Sequence, residues 1–279
     1  MMQVQSNFSE TSLIKLKDQA WLDNQRVAGK VAAGALNLLK TEINNKTNKS
    51  LIELNKLAED FIFSHNDCTP TFNGYKGFPA GVCISVNNQL VHGIPTEQTL
   101  QEGDLVSFDL GVTYNGAIAD TAITCIYGKA KSNQHIELVS VCQGALYEAI
   151  KSIKIGKHLG CIGFAINKYV TSKSNFKVIV NYGGHGLDFN TPHAQPFVSN
   201  KSRQDDGIIL QEGLTLAIEP LLAVESNKTH ISSDGWTVLT EKNMSSHWEH
   251  TIYIHKDHVE IIAYRDDEQN NIPNKIYFN

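Results

Sequence analysis

One short stretch limits what this chain can fold into. Residues 107–121 read SFDLGVTYNGAIADT, with β-branched and aromatic side chains around Asn115-Gly116. That pair is the one most favoured in a two-residue type I′ turn, so the stretch is predicted to be a β-hairpin. Yet Asp109 lies in one arm and Asp120 in the other, and Asp is depleted from strand interiors. With a two-residue turn, Tyr114 faces Ala117 and Asp109 faces Ala122. Asp120 then shares the face of Asp109 as a diagonal neighbour, ~7–8 Å away at the backbone. Either both carboxylates face solvent on a one-sided sheet, or both turn inward. Inside, two like charges repel and one takes up a proton, unless a cation joins them.

The same anomaly recurs along the chain. Glu219 ends the apolar run LTLAIEP, Glu249 sits within SHWEHTIYI, and His185 lies in GGHGLD, which reads as a glycine-flanked loop after a strand. Singly, a loop His is usually solvated and a buried Glu is usually half of an ion pair. Taken together, four strand carboxylates and a His ask for one explanation, and charge supplies it. Asp109, Asp120, Glu219 and Glu249 total −4, and two divalent cations total +4. Carboxylates are hard ligands, and one imidazole shifts the preference toward Mn, Fe, Co or Zn over Ca or Mg. Two such ions ~3.5–4 Å apart can share a hydroxide and hold a substrate carbonyl.

The rest of the chain sets the frame. Apolar spacing predicts helices over 17–43 and in SLIELNKLAEDFIFSHN, where Ser50 and Glu53 form a capping-box pattern. Strands are expected at VCISV, QLVHG and the hairpin. Helices return in HIELVSVCQGALYEAIKSI and from Gly160 to about Ser174. Strands then resume at KVIVNY, GLTLAIEP, WTVLT, SHWEHTIYI and VEIIAY. Helices followed by strands thus occur twice. Gln101-Glu102-Gly103 precedes Asp109 by the same offset at which Gln211-Glu212-Gly213 precedes Glu219. This predicts an α/β chain, 1–279, made as one catalytic domain: a flexible start over 1–12, duplicated halves over 13–130 and 131–264, and a tail over 265–279.

Composition narrows the function classes. The net charge of −5 leaves no basic footprint for nucleic acid or an anionic membrane. No apolar run is long enough to span a bilayer, and MMQVQSNFSETS has neither the basic nor the apolar part of a secretory signal. The five cysteines, Cys68, Cys83, Cys125, Cys142 and Cys161, form no CxxC pair, so a cytoplasmic chain without a disulfide framework is expected.

These residues, with YKGFPAGVCISVNNQLVHGIP, DLVSFDLGVTYNGAIADT, GGHGL, LAIEP and DGWTVLTEKNMSSHWEHTI, resemble the type I methionine aminopeptidases from about Leu16 to Tyr264. The resemblance implies the pita-bread fold, two pseudo-symmetric α/β halves with an antiparallel central sheet flanked by helices. It implies that Asp109, Asp120, His185, Glu219 and Glu249 ligate two divalent transition metals (Co, Mn, Fe, Zn or Ni), with Asp120 and Glu249 bridging. A hydroxide shared by the metals would attack the first peptide bond, Glu219 would carry the proton, and His92 and His193 would contact the substrate. Tyr75, Phe78, Cys83 and Trp236 would line the methionine pocket, although each also reads as ordinary core. A monovalent cation would sit at carbonyls near Asn87, Gln89 and Ser245. Substrates would be nascent polypeptide N-termini with a small second residue, met at the ribosome by a monomer. The neighbouring reading, an Xaa-Pro peptidase, usually needs an extra N-terminal domain.

Three features depart from the family pattern. GHGLDFNTPHAQP carries Asp188 and Asn190 where glycines are usual and sets His193 one residue late. His247 stands where Gln is common. The tail RDDEQNNIPNKIYFN matches nothing in the pattern.

Overall fold

The structure, a computed structural model, describes residues 14–241 and 244–278, so the start over 1–12 lies outside the described residues. The first part of the chain holds α1 (Gln19–Asn44), α2 (Leu51–Phe63), β1 (Cys68–Pro70), β2 (Val82–Val86), β3 (Gln89–Val91), β4 (Leu105–Tyr114) and β5 (Ala117–Ile126). Next come α3 (Asn133–Ser152), α4 (Gly160–Lys173), β6 (Lys177–Val178), β7 (Gly184–Asp188), β8 (Thr191–Val198), β9 (Thr215–Ile218) and β10 (Leu221–Ala223). The last strands are β11 (Thr229–Ile231), β12 (Val238–Thr240), β13 (Ser245–His247), β14 (Glu249–Ile254), β15 (His258–Ile261) and β16 (Lys275–Tyr277).

Local sequence explains several boundaries. Ser50 accepts from the Glu53 N–H while the Glu53 carboxylate accepts from the Ser50 N–H, closing the expected capping box of α2. Asn115 and Gly116 both take positive φ, 48° and 80°, as a type I′ turn requires. The turns that open β4 and β9 are alike. Gly103 and Gly213 hold φ of 82° and 87°, and their N–H groups donate to the carbonyls of Tyr127 and Ile254.

Ten of the strands form one antiparallel sheet ordered β1-β4-β5-β14-β9-β7-β8, with β2 beside β4 and β15 and β16 extending from β14, while β13-β10-β6 and β11-β12-β3 make two three-stranded sheets. One face of this sheet is apolar. Val106, Phe108, Leu110 and Val112 of β4 alternate into the core against α1, with Ala119 and Ile123 of β5. The opposite face carries Ser107 and Asp109. Buried Gln25 of α1 donates to the Ile118 carbonyl and to Thr215 Oγ1, so one helix ties β5 to β9. α1 also runs close under the chain at Ile262, whose carbonyl oxygen would lie 2.3 Å from a Cβ placed on Gly29. Among the described residues no helix is long and apolar enough to cross a membrane.

Candidate metal centre and active site

The sheet register carries five side chains to one face. Asp109 faces Ala122 across β4 and β5, and Gly111 faces Asp120. Ala122 also faces Glu249 of β14. Thr251, two residues on, faces Ala217 of β9, and Ala217 faces His185 of β7. Glu219 follows two residues after Ala217, just past the end of β9. Side chains alternate along a strand, so Asp109, Asp120, Glu249, His185 and Glu219 look to the same side. The loop expected around His185 is in fact strand β7.

Asp109, Asp120, His185 and Glu249 are buried and Glu219 nearly so. Ligand atoms of Asp109, Asp120 and Glu249 lie within 4.8 Å of one another, as do those of His185, Glu219 and Glu249. A further triple of the same span is Asp120, His185 and His193. Asp120, His185 and Glu249 thus each belong to two groups. His185 Nε2 stands 4.0 Å from Asp120 Oδ2 and 3.7 Å from Glu219 Oε1. Among the described residues no Lys or Arg is paired with any of the four carboxylates, and Asp109 Oδ1 and Asp120 Oδ1 are buried without a hydrogen-bond partner. Such orphaned anionic oxygens are costly. A set of four carboxylates and an imidazole, short of positive charge, fits divalent transition metals.

Electrostatics agree with that fit. Burial, then the charges of Asp120 and Glu219, push the Asp109 carboxyl well above its ordinary range. Burial raises Asp120 to about 6, against the opposing pull of His185 and His247. Burial and the neighbouring carboxylates also push Glu249 up. In Glu219 burial is outweighed by His247 and His185, and its carboxyl is held down. The protein alone pays for four anions in one place, and a cation reverses the sign of that cost.

The two further histidines flank this cluster. His92 has a φ of 59°, a left-handed conformation a β-carbon disfavours, and the next residue is Gly93, where a Cβ would come within 2.3 Å of the Ile84 carbonyl oxygen. Burial lowers the His92 imidazole to about 4. His193, on β8, has its ring 4.6 Å from that of His185 and 5.4 Å from that of Tyr75. Burial, with His185 and His92 adding, lowers it to about 2. Both rings are therefore neutral and each keeps one N–H donor. The late position of His193 is absorbed by register shifts between β7 and β8, at His185/Gly186 and Gly186/Asp188.

Phe78, Cys83 and Trp236 belong to one apolar cluster with Phe72, Ala80 and Ile94. Cys83 faces Asp109 across β2 and β4, so this cluster adjoins the acidic one. The Phe78 ring meets Trp236 edge-on at 5.2 Å. Tyr75 stands beside His193, as does Phe72 of the cluster, their rings 5.4 and 6.4 Å from the imidazole. Carbonyls of Asn87 and Gln89 both accept from the Ser245 hydroxyl at 3.0 Å. Phe72, Ala80 and Ile94 carry no chemical signal in the sequence that would set them apart from ordinary core. His247 also adjoins the cluster, and its place two residues before Glu249 is the sequence signal for it, with Nε2 3.4 Å from Glu219 Oε2.

Residues 23–256 match the metallopeptidase family M24. A methionine aminopeptidase of Mycoplasma capricolum is 40% identical over 252 residues, covering 90% of this chain and 98% of its own. The crystal structure of methionine aminopeptidase from Rickettsia prowazekii superposes with a TM-score of 0.85 at 35% identity, over 90% of this chain and 100% of that one. That from Thermotoga maritima gives 0.86 at 34%, over 91% and 100%. The curled antiparallel sheet with its four helices is the pita-bread fold of those enzymes. By its sequence over nearly its whole length and by its fold, the chain belongs to the methionine aminopeptidases of metallopeptidase family M24.

Proposed function

We propose that this chain hydrolyses the first peptide bond of polypeptides that begin with methionine and have a small second residue, using two divalent cations. The observation that carries the reading is the buried set of four carboxylates without a cationic side chain against them. Asp109, Asp120, His185, Glu219 and Glu249 would hold the ions, with Asp120 and Glu249 as the bridges; Glu249 belongs both to the group with Asp109 and Asp120 and to the group with His185 and Glu219. Cations of the Co, Mn, Fe, Zn or Ni class would acidify a water and polarise the substrate carbonyl.

The other steps fall to side chains. His92 and His193, both neutral, donate N–H to the reacting peptide unit as charge builds on its oxygen. Glu219 accepts the proton of the attacking water and passes it to the departing amine. The Phe78, Cys83 and Trp236 cluster, with Tyr75 at its edge, takes the methionine side chain, since a flexible thioether packs well on aromatic rings. The second residue meets the rim at His193 and Tyr75, which favours small side chains. A monovalent cation at the Asn87 and Gln89 carbonyls, a monomer acting in the cytoplasm on nascent chains at the ribosome, and halves at 13–130 and 131–264 complete the reading. The matched turns at Gly103 and Gly213 support the last of these.

The test is a peptide series on metal-stripped protein reloaded with each ion. Met-Ala-Ser is expected to be cut far faster than Leu-Ala-Ser, Met-Lys-Ser or Ala-Pro-Ala, and only after reloading. Equal rates across the four, or full activity in the stripped protein, would overturn it.

A further inference from the structure

Both ends of the loop FNGYKGF, residues 72–78, are built into the apolar pocket, since Phe72 and Phe78 belong to its cluster. Four backbone bonds close the loop on itself. Gly74 and Tyr75 donate to the carbonyls of Phe78 and Phe72, and Gly77 and Phe78 donate to those of Gly74 and Tyr75. Its tip is therefore held in place by its own backbone. Gly74 and Gly77 take φ of 81° and 87°, and a Cβ on either would meet open space. Lys76 stands between them with φ 49° and ψ 23°, in the left-handed region where Gly or Asn is usual. A lysine held in that conformation costs energy, which directs attention to what its side chain does.

Lys76 is exposed, and among the described residues no carboxylate is paired with it. Its Nζ lies 5.1 Å from the centroid of the Tyr75 ring, and that ring lies 5.4 Å from the ring of His193. The ammonium thus stands over the aromatic rim of the site. Burial, His185 and His92 keep the His193 imidazole neutral, and the charge of Lys76 adds to them. Asp234, two residues before Trp236 of the pocket, is taken up by the N–H groups of Trp236 and Thr237 and by the Thr237 hydroxyl.

The geometry of an extended substrate selects which residue meets this charge. Side chains alternate along an extended chain, so residues one and three point to the same side. Residue one enters the pocket lined by the two ends of the loop, and residue three comes to the same loop nearer its tip. Two residues of extended chain advance about 6.5–7 Å, a gap that the flexible four-carbon stem of a lysine can follow. We infer that Lys76 reads the charge of the third substrate residue, favouring Asp or Glu there and opposing Lys or Arg. The inference rests on the aminopeptidase reading above, and it makes Lys76 a specificity-determining residue with no part in breaking the bond. Such a pair forms alike in the bound ground state and the transition state, so it acts on KM and leaves kcat. Both partners are open to water, so its strength is that of an exposed pair and salt screens it.

The experiment assays metal-loaded wild type, Lys76→Asn and Lys76→Glu on Met-Ala-Asp-Ser, Met-Ala-Ser-Ser and Met-Ala-Lys-Ser, at low salt and again at about 0.5 M salt. Lys76→Asn removes the charge with a side chain that tolerates the left-handed backbone, and Lys76→Glu reverses it. Ratios of kcat/KM are compared within each protein, so a general loss of activity in a variant cancels. Wild type should cut the Asp peptide about two- to fivefold better than the Ser peptide, and the Lys peptide worse by a similar factor, through KM. Lys76→Asn should flatten the order, Lys76→Glu should invert it, and high salt should flatten it in all three proteins. A merely structural role would not invert with the sign of the charge. An order that persists in Lys76→Glu, or no order in the wild type at low salt, would deny Lys76 this role. Failure of the metal-loaded wild type to cut any of the three peptides would instead sink the aminopeptidase reading itself.

Discussion

Glu249 and His250 are neighbours on β14, yet they look into two differently built polar clusters. Glu249 faces the acidic cluster, where no Lys or Arg among the described residues meets a carboxylate and two oxygens are orphaned. His250 points to the other face. There its Nε2 lies 3.0 Å from Glu268, Arg265 Nη2 also lies 3.0 Å from Glu268, and the Tyr147 hydroxyl donates to the same carboxylate at 2.6 Å. Burial would raise the Glu268 carboxyl, but His250, Arg265 and Tyr147 outweigh it and hold it well below the usual range. Arg265 also donates to Thr121 Oγ1, directly behind Asp120. One strand thus separates a cluster whose charges are met by the protein from one whose charges are not. Burial is common to both. What marks the functional cluster is the missing counter-charge, which the protein leaves for something it binds.

The sharpest way to break the comparison is to remove one unpaired carboxylate. Asp120→Asn should bring metal stoichiometry below two and lower turnover by about 10⁴-fold, the scale seen when one member of a catalytic unit is lost. In the metal-free protein the same change removes a like charge, so its melting temperature should hold or rise. Calorimetric titration and scanning calorimetry read both effects. Normal stoichiometry with normal turnover would deny the bridging role, and a large drop in apo stability would deny the contrast.

The paired cluster should respond in the opposite way. Glu268→Gln leaves Arg265 buried without its partner, at a cost of about 3–5 kcal/mol. For a chain of this size that is roughly 10 °C in melting temperature. Metal stoichiometry should remain two, because no ligand is touched. A melt within a degree or two of wild type would show that the network is not the structural support described here.

How much of this could be read beforehand depended on how local the signal was. The Asn115-Gly116 hairpin, with Asp109 opposite Ala122, and the Ser50 and Glu53 capping box follow from a few adjacent residues, and both formed as read. The β7 and β8 hairpin was misread as loop because Gly184 and Gly186 look like breakers. They are glycine for another reason: a Cβ on Gly184 would lie 2.2 Å from the Ala217 carbonyl oxygen, and one on Gly186 would lie 2.0 Å from that of Gln195. Close approach of strands distant in sequence leaves no local trace. KVIVNY forms only a two-residue strand, and SHWEHTIYI is split at Trp248. The tail packs through Arg265 against Thr121 of β5 and through Glu268 against His250 of β14, pairings between distant parts of the chain that a local reading does not reveal. Ligand-type residues were visible because carboxylates in apolar strands break the composition rule, whereas the apolar pocket breaks none.

An ion-paired carboxylate partly open to water sharpens the same contrast at smaller scale. Asp188, the last residue of β7, pairs with Lys15 at 2.8 Å and with Lys17 at 2.5 Å. Lys17 Nζ also lies over the Trp21 ring at 4.7 Å. The departure from glycine at this position therefore ties the hairpin that carries His185 and His193 to the segment before α1. Burial raises the Asp188 carboxyl, but hydrogen bonds from Lys15, Lys17 and the Phe189 N–H overcome it and bring it down to about 2. The folded value lies below the ordinary 3.8, so the pair stabilises the fold above that pH, and the contribution fades as pH falls from about 3.8 through about 2. Asp188→Asn should cost up to about 1 kcal/mol at neutral pH and low salt, the range for exposed pairs. Denaturant midpoints of the two proteins should differ equally at pH 7 and pH 5, converge toward pH 3, and draw together in high salt as screening takes over. A gap that widened on acidification would reverse the sign, and a gap indifferent to salt would place this pair with the buried network rather than with the solvated surface.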